Sequence, residues 1–408
     1  MSDGAIRHFR IHPAIGFARL GDADRDPKEG CGWFVGPERP TAVVNAVPGA
    51  NYSLPFKTSG RVMAQGVRFR VFEYGGGGSM EIVPGDQRHD VEKITWHVHV
   101  ANRKAAFFQF WGPVGRGCLY RTPLQRFPWL VRNRHVARAE RDVKLVLDSG
   151  IQSIDSDTRE TFVNLRNVNS HTRGFIDFLG QLLIDAGGHL IVLGGRGKSV
   201  FAPALNPRVQ EARSLTTYAN NDGWFDDIAD GPVSATLHFK NGLTQEIEQQ
   251  DGAWFVSAPP DFAPGVRPVR SMWDTLVDVF VRNGTPSLEQ DVTHRVGTAA
   301  QLAAAWDRKG RQFRDDYRPS FTRTIYPILS AAGQLVNSHS MPSRVMAHRG
   351  LSDLYMGSLG GPVSDNALRH KIFERIRSPR KWKYDTTLMP LAHGDLYFDA
   401  TPRCSVVA

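Results

Sequence analysis

Residues 94–100 alternate apolar and polar side chains without interruption, and this alternation constrains the fold more than any other feature of the chain. The apolar members share one face: Ile94, Trp96, Val98 and Val100. The polar members share the other: Thr95, His97 and His99. A period of two is typical of a β-strand with one buried face, because successive side chains of a strand point to opposite faces. The segment therefore predicts a sheet that covers a core with one of its faces.

Turn residues predict how such strands are joined. Residues 182–185 and 189–193 are largely apolar runs on either side of one alanine and two glycines at 186–188. Asn241-Gly242 lies between two further short runs, and Asn-Gly is a strong signal for a two-residue hairpin turn. These signals predict antiparallel strands and hairpins.

Beyond residue 270 the apolar spacing changes from two to three or four, which is typical of helices. The clearest example is formed by Met272, Leu276, Val279 and Phe280. Three later stretches have similar spacing: residues 299–306, 325–336 and 367–376. A β-rich part followed by a helical part favours the α+β class over a doubly wound sheet. We therefore expect a β-rich domain over residues 1–270 and a helical region over residues 271–408.

The glycine-rich stretch at residues 194–199 ends in Gly-Lys-Ser, as a phosphate-binding loop does. Such a loop needs a glycine five positions before Gly197, where this chain has Val192 inside an apolar run. It also needs a following helix, and Pro203 and Pro207 make a helix there unfavourable. The stretch is therefore interpreted as the end of a returning hairpin strand.

Positive charge is concentrated in one part of the chain. The net charge is +9, and residues 103–144 contain ten Lys and Arg. Aromatic residues precede and interleave with them, a combination typical of nucleic-acid surfaces and equally of the basic face of an ordinary helix. No recognisable nucleic-acid-binding motif accompanies the charge, so we expect no nucleic acid as partner.

Cysteine usage and hydropathy bear on location. Cys31, Cys118 and Cys404 are far apart and odd in number, which argues against a disulfide framework and against a metal-binding set. No apolar stretch approaches 18 residues, and the N-terminus lacks the basic and apolar regions of a secretory signal. We therefore expect a cytoplasmic protein that does not span a membrane.

Two groups of residues could carry chemistry. His97 and His99 have a spacing used by metal sites on strands, but the strand offers no third ligand, and a solvated polar face explains the pair as well. The second group lies in residues 217–233, which contain four aspartates: Asp222, Asp226, Asp227 and Asp230. Such carboxylates cap turns, bind a hard cation, or pair with the ammonium group of a substrate. We expect no metal site.

Several blocks together resemble a known family. Residues 11–22 (IHPAIGFARLGD) and 34–38 (FVGPE) are similar to the N-terminal signature of the L-lysine ε-oxidase and glycine oxidase family. Later blocks resemble that family in the same order: residues 69–74, 94–107, 178–199, 220–233, 258–269, 325–329, 372–379, 389–390 and 394–395. The resemblance covers nearly the whole chain, and the order of the blocks makes it specific.

The resemblance implies oxidative deamination of a primary amine on an amino acid of the lysine or glycine class. Oxygen accepts the electrons, and ammonia and hydrogen peroxide are released. The family cofactor is cysteine tryptophylquinone, made from a cysteine and a tryptophan of the chain, and a separate flavoprotein is needed for that modification. The aspartate-rich stretch becomes a candidate wall of the substrate pocket, with five candidate residues: Tyr218, Asp222, Trp224, Asp226 and Asp227.

The chain departs from the family at its C-terminal side. It ends fourteen residues after Gly394, Cys404 follows that block closely, and no tryptophan follows Trp382. We therefore expect a truncated homologue that lacks the quinone-forming segment, holds no cofactor and is inactive as it stands. The alternative is a non-enzymatic module that binds an amino acid or assists assembly. Apolar residues of the helical region are expected to favour a homo-oligomer.

Overall fold

The computed structural model describes residues 8–36, 56–75, 78–106, 132–133, 135–202, 222–247, 249–260, 272–283, 302–319, 325, 370 and 373–374. The chain divides into two compact units, the first including residues 43–264 and the second residues 265–401. The predicted domain boundary at residue 270 lies outside the described residues and stays a prediction.

Short strands dominate the described part of the chain. They are β1 His8–His12, β2 Ile15–Arg19, β3 Trp33–Val35, β4 Lys57–Thr58, β5 Arg61–Val62, β6 Ala64–Gly75, β7 Gly78–Ile82, β8 Val91–Asn102, β9 Leu147–Asp155, β10 Val163–Arg166, β11 Phe178–Ile184, β12 Leu190–Gly194, β13 Ser199–Phe201, β14 Trp224–Asp226, β15 Asp230–Phe239, β16 Thr244–Glu246, β17 Ala253–Ala258, β18 Trp306–Asp307 and β19 Gln312–Phe313. The α-helices are α1 Arg141–Leu145 and α2 Met272–Asn283, and the 3₁₀ turns are Lys104–Ala106 and Arg138–Glu140.

Most of these strands form one large mixed sheet in the first unit. Its order is β10-β11-β12-β6-β2-β17-β15-β8-β9, with β1, β3 and β7 also paired to β6, and β16 to β15. The two ends of this path approach each other, since the Val168 N–H donates to the Asp148 carbonyl at 2.7 Å beside β9 and β10. The sheet is therefore nearly closed.

The strands are not all antiparallel, so that expectation is wrong for two pairs. β17 runs parallel to β2, with Trp254 opposite Ile15, and β3 runs parallel to β6, with Trp33 opposite Ala64. Each pair joins strands that are not consecutive in the chain. Period-two patterns predict strands without predicting their partners, which is why the sequence did not reveal these pairs.

The main core lies on one face of this sheet, as the alternation in β8 predicted. The apolar residues of β8 are at most 1% exposed: Ile94, Trp96, Val98 and Val100. Phe69 and Val71 of β6 are fully buried in the same core. The β-rich character and the direction of these faces are confirmed.

Both predicted hairpins are present. β11 pairs with β12 from Gly180 opposite Gly194 to Ile184 opposite Leu190. β15 pairs with β16 around Asn241-Gly242, where Gly242 has φ +82°, a left-handed value that favours glycine. The returning strand β12 ends at Gly194, so the Gly-Lys-Ser residues lie beyond it, with Ser199 beginning β13, and do not form the end of the returning strand as predicted.

The helical region is less well supported. Helix α2 is present as predicted and buries Phe280 and Val281, but Leu276 and Val279 of the predicted apolar set are exposed. Of the helix predicted over 299–306, residues 302–305 are helical and strand β18 begins at Trp306. The helices predicted over 325–336 and 367–376 lie almost entirely outside the described residues. The helical character of residues 271–408 as a whole stays a prediction. Within the described ranges, no helix has the length and apolarity needed to cross a membrane.

Candidate functional site

The aspartate-rich stretch forms a loop around strand β14, called here the aspartate loop (residues 222–230). β14 pairs antiparallel with β13, so that Ser199 lies opposite Asp226 and Phe201 opposite Trp224. Of the five predicted pocket residues, four lie on or beside β14, and Tyr218 lies outside the described residues. The structure thus places the loop against the Gly-Lys-Ser stretch.

Asp227 is almost completely buried, with 1% of its surface exposed. Its Oδ2 accepts hydrogen bonds from the backbone N–H groups of Arg196 at 2.6 Å and Lys198 at 3.0 Å. A Cβ on Gly195 would lie 2.5 Å from the Asp227 Cγ, so the loop needs glycine there. The backbone amides of Arg196 and Lys198, which a phosphate-binding loop would offer to a phosphate, therefore already donate to the Asp227 carboxylate.

Burial also sets the protonation of Asp227. Loss of solvent raises the pKa of this carboxyl, and hydrogen bonds from the 196–198 amides oppose the rise. Its Oδ1 is buried and has no hydrogen-bond partner among the described residues. In the described structure, the Asp227 side chain is thus bonded to the glycine-rich loop through Oδ2, and its backbone N–H donates to the Lys198 carbonyl at 3.1 Å.

Arg25 fastens the same glycine-rich loop from the other side. Its guanidinium donates to the carbonyl groups of Gly194 at 2.8 Å, Gly195 at 2.6 Å and Gly21 at 3.0 Å. Burial and the nearby Arg196 lower the pKa of Arg25 to about 10, whereas Asp227 raises it. Sequence reasoning missed this residue, because a single arginine after a strand belongs to no periodic pattern.

Asp226 holds a primary ammonium group. Lys104 Nζ lies 2.6 Å from both carboxylate oxygens, and Asn102 Nδ2 donates to Oδ1 at 3.2 Å and to the Asp226 carbonyl at 2.7 Å. Oδ1 also accepts from the Ile228 N–H at 3.0 Å. The Asp226 side chain remains 33% exposed and that of Lys104 45%. This is the one predicted carboxylate that both pairs with an ammonium group in the described structure and keeps contact with solvent.

Asp222 and Trp224 are fastened to a short buried segment at residues 132–133. Asp222 Oδ1 accepts from the Asn133 N–H at 2.8 Å, and the Trp224 carbonyl accepts from Arg132 Nη2 at 2.9 Å. Burial lowers the pKa of Arg132. The Trp224 ring packs against Phe201, with ring centroids 5.7 Å apart.

The same arrangement bears on the three roles considered for the aspartates. All four accept hydrogen bonds from other residues, including Asp230, whose Oδ2 accepts from Trp254 Nε1 at 2.9 Å. Of these bonds, only the one from the Ile228 N–H to Asp226 Oδ1 closes a local turn, and Asp226 is also the one of the four seen to pair with an ammonium group among the described residues. In the described ranges, no three His, Cys, Asp or Glu residues are arranged to hold a metal ion.

The two histidines of β8 have partners within the sheet. His97 lies 2.7 Å from Ser153 Oγ and 2.9 Å from Thr236 Oγ1, and His99 Nε2 lies 2.7 Å from Asp148 Oδ1. They belong to a polar outer face, as the second interpretation of the sequence held.

The described residues do not fit a cysteine tryptophylquinone, which needs a cysteine sulfur bonded to an indole ring. Cys31 is exposed and free, whereas Trp33 is 1% exposed and its Nε1 donates to the Asp26 carbonyl at 2.7 Å. Trp33 packs in a small core with Leu183 and other apolar side chains. Cys118 and Cys404 lie outside the described residues.

Comparison with known proteins gives one family match. The model of the family described as L-lysine epsilon oxidase N-terminal matches residues 12–257. The L-lysine 6-oxidase of Marinomonas mediterranea is 28% identical over 394 residues, which cover 90% of this chain and 47% of that protein. The chain thus spans about half the length of the curated relative it matches.

Solved structures of the epsilon-lysine oxidase from Marinomonas mediterranea are also similar. One aligns with a TM-score of 0.60 and 25% identity, covering 91% of this chain and 50% of that one. Another, of the Schiff base intermediate with L-Lys, aligns with a TM-score of 0.58 and 25% identity, covering 93% and 51%.

Proposed function

This chain belongs to the L-lysine epsilon-oxidase family, and on that premise we propose that it serves in the oxidative deamination of a primary amine on an amino acid. In the proposed reaction, the substrate C–N unit gives up two electrons and two protons, which reduce O2 to hydrogen peroxide, and water then hydrolyses the imine to a carbonyl product and ammonia. The observation that carries the proposal is the family match across residues 12–257, which span almost the whole large sheet.

Within this function, the large sheet acts as the support of the site. The quinone that the resemblance implies would supply the electrophilic carbonyl, but the described residues do not fit it, so no step is assigned through it here. The same misfit leads us to propose that the chain expressed by itself carries no quinone and releases no peroxide.

Among the pocket candidates, we assign the recognition of the substrate ammonium group to Asp226. The two 2.6 Å contacts from Lys104 support this, because they place a primary ammonium on the carboxylate in bidentate fashion. A substrate amine would replace Lys104 there. Asp222, Trp224 and Asp227 would hold β14 in position, and Tyr218 stays a candidate.

A non-enzymatic module is the second candidate. Two observations favour it. The aspartates of the loop all accept hydrogen bonds from other residues of the chain, and the described residues contain no cysteine and tryptophan placed to form a tryptophylquinone. Such a module would bind an amino acid through Asp226, or would assist the assembly of a larger oxidase.

A peroxide assay with and without a family flavoprotein tests these proposals. The chain is co-expressed with the flavoprotein, its intact mass is measured, and L-lysine or glycine is added. Peroxide together with the mass change of a crosslinked, doubly oxygenated tryptophan would establish an enzyme and overturn the proposed lack of a quinone. No peroxide, with amino-acid binding detected by calorimetry, would favour the module.

The same assay, or calorimetry, tests whether Asp226, and not a neighbouring aspartate, binds the amino acid. Asp226→Asn is expected to weaken binding of the amino acid about tenfold, the effect of losing roughly 1.4 kcal/mol of charge-assisted bonding. Asp230→Asn is the matched control, because Asp230 lies in the same loop and bonds to Trp254 instead. Equal effects of the two substitutions would exclude the assigned role.

Partners and location follow from the same proposal. We propose a flavoprotein that assists maturation, a homo-oligomer in solution and a cytoplasmic location, with no nucleic acid and no membrane among the partners. Sedimentation would test the homo-oligomer, and salt-dependent DNA retention would test the expectation that no nucleic acid is bound.

A further inference from the structure

Four ends of the described chain lie close together in the large sheet unit. Ala106 and Arg132 border residues 107–131, called here the first segment, and Ala202 and Asp222 border residues 203–221, called the second segment. The described residues at these four ends contact each other through one asparagine and one arginine.

Arg141, in helix α1, joins the two ends of the first segment. Arg141 is 7% exposed, and each acceptor of its guanidinium in the described part of the chain is a backbone carbonyl group. These carbonyls belong to residues on both sides of the segment: Ala105, Ala106, Arg132, Asn133 and Val136. An arginine fork that fills its donors in this way fixes both chain ends in one geometry.

Asn133 joins the first segment to the second. It is fully buried, its Nδ2 donates to the Ala105 carbonyl at 3.0 Å, and its Oδ1 accepts from the Gly223 N–H at 2.8 Å. Its own N–H donates to Asp222 Oδ1. Gly223 in turn closes the second segment, because its carbonyl accepts from the Ala202 N–H at 2.7 Å.

The backbone of Asn133 has a conformation that its surroundings must hold in place. Its φ is +48°, in the left-handed region, which costs energy for a residue with a side chain and persists where surrounding bonds determine it. Asparagine is among the side chains that tolerate this region best.

From these contacts we propose that Asn133 and Arg141 are positioning residues that fasten the ends of both segments to one point, and that the aspartate loop is held in place through that point. β14 begins at Trp224, directly after Asp222 and Gly223, so the loop is bonded to Asn133 where it starts. The proposal concerns the architecture and does not depend on the oxidase chemistry.

Hydrogen–deuterium exchange at single-amide resolution on the full chain tests this. Arg141→Lys keeps the positive charge but loses the several N–H donors of the guanidinium. In the described structure, Arg141 itself makes no direct bond to residues 199–227. We expect exchange of the Gly223 and Ala202 amides to accelerate about tenfold or more, together with Ala106 and Val136, because the link through Asn133 loosens. Lys144→Met is the control, since Lys144 lies in the same helix and pairs with exposed Glu140.

Acceleration at Ala106 and Val136 with Gly223 and Ala202 unchanged would overturn the proposal, because the two segments would then be anchored independently. Should Arg141→Lys fail to fold, Asn133→Gly decides, since glycine suits the left-handed φ and removes only the side-chain links. It is expected to accelerate both Gly223 and Ala106. Acceleration of Gly223 alone would count against the shared anchor, and unchanged amides of Leu183 and Ile191 would verify that the sheet stays folded.

Discussion

Strand β8 and the aspartate loop are organised by different kinds of interaction. β8 buries a regular apolar face, and each of its core residues could be exchanged for another apolar residue of similar size at modest cost. The aspartate loop is held by particular donors and acceptors, such as Asp227 with the 196–198 amides and Asp222 with Asn133. Stability of the first region depends on volume and burial, whereas that of the second depends on the identity of each partner.

The largest expected effect comes from the core of β8. Trp96 is fully buried and its Nε1 donates to the Gly188 carbonyl at 3.2 Å. Trp96→Ala should lower the free energy of unfolding by about 3–5 kcal/mol, because it leaves a cavity and an unsatisfied carbonyl. Urea unfolding measures this. A loss below about 1 kcal/mol would contradict the assignment of Trp96 to the main core.

The next effect concerns Asp227. Asp227→Ala removes the buried carboxylate that accepts from the backbone amides of Arg196 and Lys198, and should cost about 1–3 kcal/mol. Asp230→Ala, in the same loop but exposed, should stay within about 0.5 kcal/mol. Equal unfolding midpoints for Asp227→Ala and the unmodified chain would show that the loop is not stabilised by this carboxylate.

The ion pair between Lys104 and Asp226 should contribute less. Both side chains are at least one-third exposed, so solvent and salt screen their attraction. A double-mutant cycle with Lys104→Met and Asp226→Asn should give a coupling energy of about 0.2–1 kcal/mol at low salt, decreasing in 1 M NaCl. A coupling that salt does not change would mean that the pair is shielded from solvent.

The pH dependence of Asp227 is a finer test. Because burial raises its pKa above 3.8, the folded chain binds this proton more tightly than the unfolded chain. The stabilisation is complete at pH values below 3.8 and is lost as the pH rises through the raised pKa. The stability of the unmodified chain relative to Asp227→Asn should therefore decline with rising pH in this window. A relative stability that increases would indicate a lowered pKa instead.

The contrast between the two regions also explains what the sequence could predict. The buried face of β8 and the hairpin at Asn241-Gly242 follow from local periods and turn preferences, so they were predicted correctly. Arg132 and Arg141 were interpreted as part of a basic stretch, but each is 7% exposed and donates to backbone carbonyls. Nothing local separates a buried arginine from a solvated one, because its carbonyl partners come from distant segments.

The candidate site was predicted only in part. The aspartates of residues 222–230 were recognised by composition, but only Asp226 caps a local turn, through the Ile228 N–H, while the other three accept hydrogen bonds from distant segments. Their partners Arg25, Lys104 and Asn133 were not identified, since each contacts the loop or its neighbour across a long separation in sequence. The pairing of partners is a tertiary property that the composition of one segment does not contain.

The parallel pairing of β2 with β17 has a consequence for synthesis on the ribosome. In the described sheet, β2 shares one ladder pair with β6, Arg19 opposite Gln65, whereas five of its residues, from Ile15 to Arg19, pair with Trp254 to Ala258. The nascent chain therefore carries its second strand without its principal partner until residue 258 has left the exit tunnel. Such late, long-range closure is slow and leaves strand edges open to other chains, so folding of this unit is expected to be completed only after residue 258 has emerged and to benefit from chaperones.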